Sequence, residues 1–252
     1  MSALREAGTA ILKIYGSEFS VTQKADRSPV TAADKISHEI LSGFLRKHYS
    51  FPILSEEGKD IPYEERKQWD TFWLVDPLDG TKEFINRNGE FTVNVALIRQ
   101  GKPVMGIIYV PVKRILYYAV KGKGSFKREN GHEVRLPLDL NRRGVTVVGS
   151  RSHGTPEFDA FIQQLRSKHD ALNFVSAGSS LKFCLVAEGS ADLYPRLGPT
   201  MEWDTAAGQM IVEEAGGFVL KPDSDHPLQY NKTDLRNPHF IVKGRNYCER
   251  GH

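Results

Sequence analysis

The sequence predicts two halves of different class around a shared cleft: an α+β half over residues 1–140 and an α/β half over residues 141–252. Two observations predict it. Strand-like runs at 92–99, 104–110 and 115–120 are separated only by turn residues, Gly101-Lys102-Pro103 and the four residues 111–114, which is the pattern of an antiparallel meander. Beyond Asn141-Arg142-Arg143-Gly144 the rhythm changes, and strand-like and helix-like segments alternate to the end of the readable pattern.

Taken in order, residues 2–15 are amphipathic and predict a first helix. A second helix is expected from Thr31 to about residue 47, with Ile36, Ile40, Leu41, Phe44 and Leu45 on one face. Short strands at 51–54 and 72–75 precede the meander. In the second half the expected units are strand 145–149, helix 156–167, strand 172–176, helix 179–188, strand 191–194 and helix 205–214.

Composition narrows the function classes. With 40% hydrophobic and 26% charged residues and scattered Gly and Pro, the chain is globular rather than disordered or repetitive. A net charge of +3, with basic and acidic residues interleaved, argues against a nucleic-acid binder, which would concentrate its cations. The richest basic stretches, 121–128 and Arg142-Arg143, read as solvated loops. No run approaches the roughly 18 apolar residues a membrane span requires. The first residues lack the apolar core of a secretory signal. Cys184 and Cys248 cannot build a disulfide framework, and Cys184 lies in an apolar run as a small core residue. The expectation is a cytoplasmic protein, with peripheral attachment at the inner membrane left open, as are monomer and homodimer.

Three acidic stretches carry the chemistry. In Asp76-Pro77-Leu78-Asp79-Gly80-Thr81, a buried strand ends at Asp76, and Pro77 and Gly80 are expected to force a tight turn that converges Asp76 and Asp79. Paired carboxylates make a hard, oxygen-rich cation site, and the N–H groups of Gly80 and Thr81 beside them suit a phosphate oxygen. Glu56, with Glu57 as its neighbour, follows another strand-like run and is the candidate third ligand. Asp204 precedes a helix at what reads as its N-cap, where the dipole holds a carboxylate ionised. Asp34 completes a capping pattern with Thr31, and the same carboxylate can also accept a hydrogen bond from Thr81. Zinc spacings, a Gly-rich dinucleotide loop, a Walker A loop and a nucleophile elbow are all absent from the sequence, which points away from covalent catalysis.

These motifs, with Ser28-Pro29-Val30-Thr31-Ala32-Ala33-Asp34, Leu54-Ser55-Glu56-Glu57 and Trp203-Asp204-Thr205-Ala206-Ala207-Gly208, span the chain in order and resemble the inositol monophosphatase superfamily of metal-dependent phosphatases. Lys82-Glu83-Phe84, Gly178-Ser179-Ser180-Leu181-Lys182 and the run from Tyr194 to Thr200 are similar, more narrowly, to bacterial 3′(2′),5′-bisphosphate nucleotidases of sulfur assimilation. The resemblance implies a layered αβαβα sandwich with the site between the halves. It implies two or three Mg²⁺ ions held by Glu56, Asp76, the Leu78 carbonyl, Asp79 and Asp204, with Asp34 and Thr81 positioning the attacking water. Most ligands then fall in the first half, and Asp204 and the specificity pocket in the second. The implied substrate is a nucleotide bisphosphate, adenosine 3′,5′-bisphosphate, bound by Gly80, Thr81, Asp204, His153, Ser179, Lys182 and Arg196, with inositol monophosphate or a sugar bisphosphate as the alternative. Sensitivity to lithium is also implied.

Overall fold

The computed structural model describes residues 2–23, 29–138, 143–150, 156–222 and 224–249. The elements run α1 (Ser2–Tyr15), β1 (Val21–Gln23), β2 (Pro29–Thr31), α2 (Ala32–His48), β3 (Ile53–Ser55), α3 (Tyr63–Arg66), β4 (Thr71–Asp79), α4 (Thr81–Ile85), β5 (Thr92–Arg99), β6 (Lys102–Val110) and β7 (Ile115–Val120). They continue with β8 (Gly124–Glu129), β9 (His132–Arg135), β10 (Val145–Gly149), α5 (Pro156–Arg166), β11 (Leu172–Ser176), α6 (Leu181–Glu188), β12 (Leu193–Arg196), α7 (Glu202–Glu214), β13 (Phe218–Leu220), β14 (Phe240–Lys243) and α8 (Arg245–Glu249).

Strands β3 to β9 form a seven-stranded sheet in chain order, antiparallel except for the parallel β3–β4 pair. A five-stranded mixed sheet has the order β11-β10-β12-β14-β13. Alternation along the strands gives the large sheet two apolar faces. One face, with Trp73, Val75, Val93 and Tyr109, packs on Ala7, Ile11, Leu41 and Leu45 of α1 and α2. The other, with Leu74, Ala96, Ile108 and Tyr117, packs on α6 and α7, which also meet Tyr194 and Val242 of the small sheet. The far side of the small sheet packs on Ile162 and Leu165 of α5. The result is the αβαβα sandwich, with α6 and α7 as its central layer. Contact there is close: a Cβ on Gly106 of β6 would lie 2.5 Å from the Ala207 carbonyl oxygen of α7, so only glycine admits the helix at that depth.

Several expectations change. The basic stretch 121–128 is not a solvated loop, since most of it belongs to β8, and Lys127 pairs with buried Glu188 at 2.8 Å. Helix α2 buries Ala33, Ser37, Leu41 and Leu45 at four-residue spacing, which leaves Ile36 exposed, one position off the stripe. Ser37 is accommodated because its hydroxyl donates to the Pro77 carbonyl at 2.7 Å. Helix α7 begins at Glu202, so Asp204 occupies its third position and not the N-cap. Among the described residues no helix is long and apolar enough to cross a membrane.

Candidate active site

Asp76 and Asp79 both lie on β4, which continues through Pro77 to Asp79 where the sequence suggests a turn. Residues three apart on a regular strand face opposite sides. Here the register shifts between Asp76↔Asn94 and Asp79↔Thr92, a bulge that brings both carboxylates to the side of α6 and α7. Pro77 has no N–H to pair, and the Leu78 N–H turns back to Asp76 Oδ1 at 3.1 Å. Gly80 then adopts φ 91°, a left-handed conformation that a Cβ would obstruct against Ser179, and delivers Thr81 as the first residue of α4.

Asp34 uses its two oxygens differently. Oδ2 accepts from the Thr31 N–H at 2.8 Å and the Thr31 hydroxyl at 2.7 Å, while Thr31 Oγ1 receives the Ala33 N–H, a capping box that starts α2. Oδ1 accepts from Thr81 Oγ1 at 3.1 Å. Glu56 follows β3 directly, and its N–H donates to the Val75 carbonyl at 3.1 Å, extending the β3–β4 pairing so that Glu56 stands beside Asp76. Asp204 arrives from the first turn of α7 and accepts the Met201 N–H at 2.8 Å. That turn is anchored by fully buried Glu202, which accepts from Lys232 Nζ at 2.6 Å and the Asn231 N–H at 2.6 Å.

Glu56, Asp76 and Asp204 each offer a carboxylate oxygen within 4.8 Å of one another. Burial pushes the Asp76 carboxyl well above its ordinary pKa, and the charges of Glu56, Asp79, Asp204 and Asp34 push it further. Asp204 is raised for the same reasons, burial first and then Asp79. Asp34 is raised by burial against the lowering effect of Thr31. An all-oxygen set of mutually repelling carboxylates fits a hard divalent cation, which would relieve that repulsion, and does not fit a thiophilic metal.

Asp79 is held in a separate set of bonds, all to Oδ2: the Ser180 N–H and hydroxyl at 2.6 Å each, and Asn94 Nδ2 at 3.3 Å. Ser180 Oγ also accepts from Asn94 Nδ2 at 2.9 Å and lies 2.9 Å from the Asp204 carbonyl oxygen. Ser180 and Asn94 thus join β4, β5, α6 and α7 at one point. Sequence reasoning did not single either out for this role, because nothing in their spacing links residues 86 positions apart.

A cavity of about 270 Å³ is lined by Asp79, Gly80, Ser179, Lys182, Arg196 and Asp204 among others. Lys182 is buried, donates to the carbonyls of Ser179 at 2.7 Å and Ala177 at 3.3 Å, and sits over the Tyr194 ring. Its pKa is pushed down to about 8, by burial first and by the Arg196 charge as well, with Asp79 opposing. Arg196 donates from Nη2 to the Pro199 carbonyl at 2.8 Å. Its Nε and the Ser179 hydroxyl are both buried without a hydrogen-bond partner among the described residues. His153 lies outside the described residues.

The chain and its fold have counterparts among known proteins. The chain is 52% identical over 219 residues to the 3′(2′),5′-bisphosphate nucleotidase CysQ of Salmonella typhimurium, covering 85% of this chain and 86% of the relative. It is 49% identical over 244 residues to the CysQ of Escherichia coli K12, covering 94% and 95%. Among solved structures, CysQ from Bacteroides thetaiotaomicron superposes with a TM-score of 0.89 at 50% identity over 96% of this chain and 94% of that one. The suppressor protein SuhB from Bartonella henselae superposes at 0.76 with 27% identity, over 99% and 93%. The profile of the inositol monophosphatase family, a family of metal-dependent enzymes, matches residues 1–249, and this chain belongs to that family.

Proposed function

We propose that this chain is a Mg²⁺-dependent 3′(2′),5′-bisphosphate nucleotidase that hydrolyses the 3′-phosphate of adenosine 3′,5′-bisphosphate to AMP and phosphate. One observation carries the reading: a single cavity is lined on the one hand by Asp79 and Asp204 and on the other by Lys182 and Arg196. A substrate with two phosphates needs both, a metal-bearing wall for the phosphate that is cleaved and a cationic wall for the one that is kept. The names of the relatives above support the same substrate class.

The metal ligands in this reading are Glu56, Asp76, the Leu78 carbonyl, Asp79 through Oδ1, and Asp204. Two or three Mg²⁺ ions held there would polarise the phosphate, acidify a water and stabilise the leaving oxygen. The residues supply the rest. Thr81 commits its hydroxyl proton to Asp34, so its oxygen lone pairs are left to accept from the attacking water and aim it at phosphorus. The N–H groups of Gly80 and Thr81 bind non-bridging oxygens of the scissile phosphate without reorganising. Arg196 Nε and Ser179 Oγ, which are buried without a hydrogen-bond partner among the described residues, donate to the 5′-phosphate together with Lys182 and with His153 from outside the described residues. The water attacks phosphorus directly and no side chain is phosphorylated.

The test is phosphate release with Mg²⁺ from adenosine 3′,5′-bisphosphate, inositol 1-phosphate and fructose 1,6-bisphosphate side by side. A strong preference for the nucleotide is expected. Preference for either of the others would discard the assignment of Lys182 and Arg196 while keeping the metal chemistry, and inactivity on all three would discard the reading.

A further inference from the structure

A second cavity, larger than the one beside the carboxylates, lies elsewhere on the described residues. It measures about 630 Å³ and lies between α1, the β6–β7 turn and the β8–β9 turn, lined by Arg5, Lys13, Tyr109, Arg114 and Asn130 with Leu12 among its apolar walls. A smaller recess beside it adds Arg128. It opens on the α1 side of the large sheet, since Tyr109 belongs to the core shared with α1 and α2, whereas Asp79 and Asn94 project to the side of α6. The sheet therefore separates it from the site above.

Its lining has one sign of charge. Among the described residues no carboxylate lines either the cavity or the recess. Arg128 is paired with Glu133, but Arg5, Lys13 and Arg114 show no ion pair or side-chain hydrogen bond among the described residues. Tyr109, another residue of the lining, is buried, with 8% exposure. Burial raises the Tyr109 phenol, and Arg5 and Arg114 oppose that shift, which puts both guanidinium groups in the electrostatic range of its hydroxyl. Three cations without counter-charge around a concave, partly apolar wall are more than a solvated face needs, because clefts of one sign focus the field on a complementary ion. The volume is in the range of small-molecule sites and exceeds what an inorganic ion fills.

We propose that this cavity is a second, non-catalytic binding site for a small organic phosphate of nucleotide size, with Arg5, Lys13 and Arg114 receiving the phosphate and Leu12 and Tyr109 receiving the body of the ligand. Guanidinium groups take phosphate oxygens in bidentate fashion, and the Tyr109 hydroxyl offers a further donor. A phosphomonoester places about two negative charges and three acceptor oxygens on one centre, which suits a site with three cations.

The experiment counts 5′-AMP bound to the Mg²⁺-loaded enzyme by equilibrium dialysis, in the wild type and in the Arg5→Gln/Arg114→Gln variant. Both side chains are exposed, so the fold should survive, and a thermal melt checks it. The expected result is one equivalent fewer in the variant, or at least a tenfold weaker second site, with turnover at saturating substrate unchanged. Lys13→Gln should weaken the same site in part. Equal stoichiometry and affinity in wild type and variants would overturn the proposal. If the active-site assignment were wrong, turnover would be absent but the difference of one equivalent would persist, so the two failures are distinguishable. Inorganic phosphate competing as strongly as AMP would overturn the nucleotide-sized ligand.

Discussion

The hydroxyl of Thr81 donates to Oδ1 of Asp34 at 3.1 Å while Oδ2 of the same carboxylate closes the capping box of α2. Asp34 therefore cannot reorient toward Thr81 or away from it without uncapping its own helix, and Thr81 inherits that rigidity. Preorganisation of this kind is what aims a water without cost at the moment of reaction.

Thr81→Val should lower kcat by about a hundred- to ten-thousand-fold, the range for loss of an aligned proton-handling group, with little change in KM. Thr81→Ser should keep most of the activity, since it keeps the hydroxyl. Asp34→Asn should lower kcat too, and it should also cost about 1 kcal/mol of stability from the weakened cap. Steady-state kinetics with a thermal melt separate the two effects, and an unaltered kcat for Thr81→Val would remove Thr81 from the water-positioning role.

Ser180→Ala removes one of two 2.6 Å hydrogen bonds to Asp79 Oδ2 and the partner of Asn94. Loss of such an orienting contact typically weakens metal affinity by about ten- to a hundredfold. The activity of the variant should thus require more Mg²⁺ yet approach the wild type at saturation. A metal-activation curve identical to that of the wild type would show that Ser180 does not orient Asp79.

Lys182 gives a pH dependence with a definite sign. Its folded-state pKa, about 8, is below its unfolded value, so folding releases a proton between roughly pH 8 and 10.5, and this group's contribution to stability becomes less unfavourable as pH rises through that window. For binding the sign is opposite: above about pH 8 the free enzyme loses the positive charge offered to the 5′-phosphate. A falling alkaline limb in kcat/KM is expected, centred near that value. Lys182→Met should start lower and lack this limb. A limb that persists unchanged in the variant would assign it to another group.

Arg196→Gln should reduce kcat/KM for adenosine 3′,5′-bisphosphate by about ten- to a hundredfold, the worth of a hydrogen bond to a charged group at roughly 1.5–3 kcal/mol. The same substitution should leave hydrolysis of adenosine 3′-monophosphate nearly unaltered, because that molecule has no 5′-phosphate to hold. Equal losses on both substrates would place Arg196 elsewhere in the chemistry.

Much of the frame was legible because it is local. The Thr31–Asp34 spacing announced the start of α2, and the strand-like runs separated only by turn residues announced β5, β6 and β7. Strand β8 was not legible because its charges find partners at a distance: Lys127 meets Glu188, and Arg128 meets Glu133 across the β8–β9 hairpin. The true start of α7 was hidden likewise, because nothing in the local sequence shows that Glu202 is buried on Lys232, 30 positions away. In the site, Asp76 and Asp79 stood out as a pair, but the bulge that turns both to one side has no sequence signature beyond Pro77. Ser180 and Asn94 were invisible as partners because the fold alone brings them together.

The most direct test of the central claim is a Mg²⁺ titration of phosphate release from adenosine 3′,5′-bisphosphate, run on the wild type and on Asp76→Asn, the carboxylate most crowded by its neighbours. The account predicts that wild-type turnover appears with Mg²⁺ and vanishes with a chelator, and that Asp76→Asn falls by a thousandfold or more (on the order of 4 kcal/mol in the barrier) while keeping its fold. Turnover without a divalent cation, or an Asp76→Asn enzyme as active as the wild type, would contradict it.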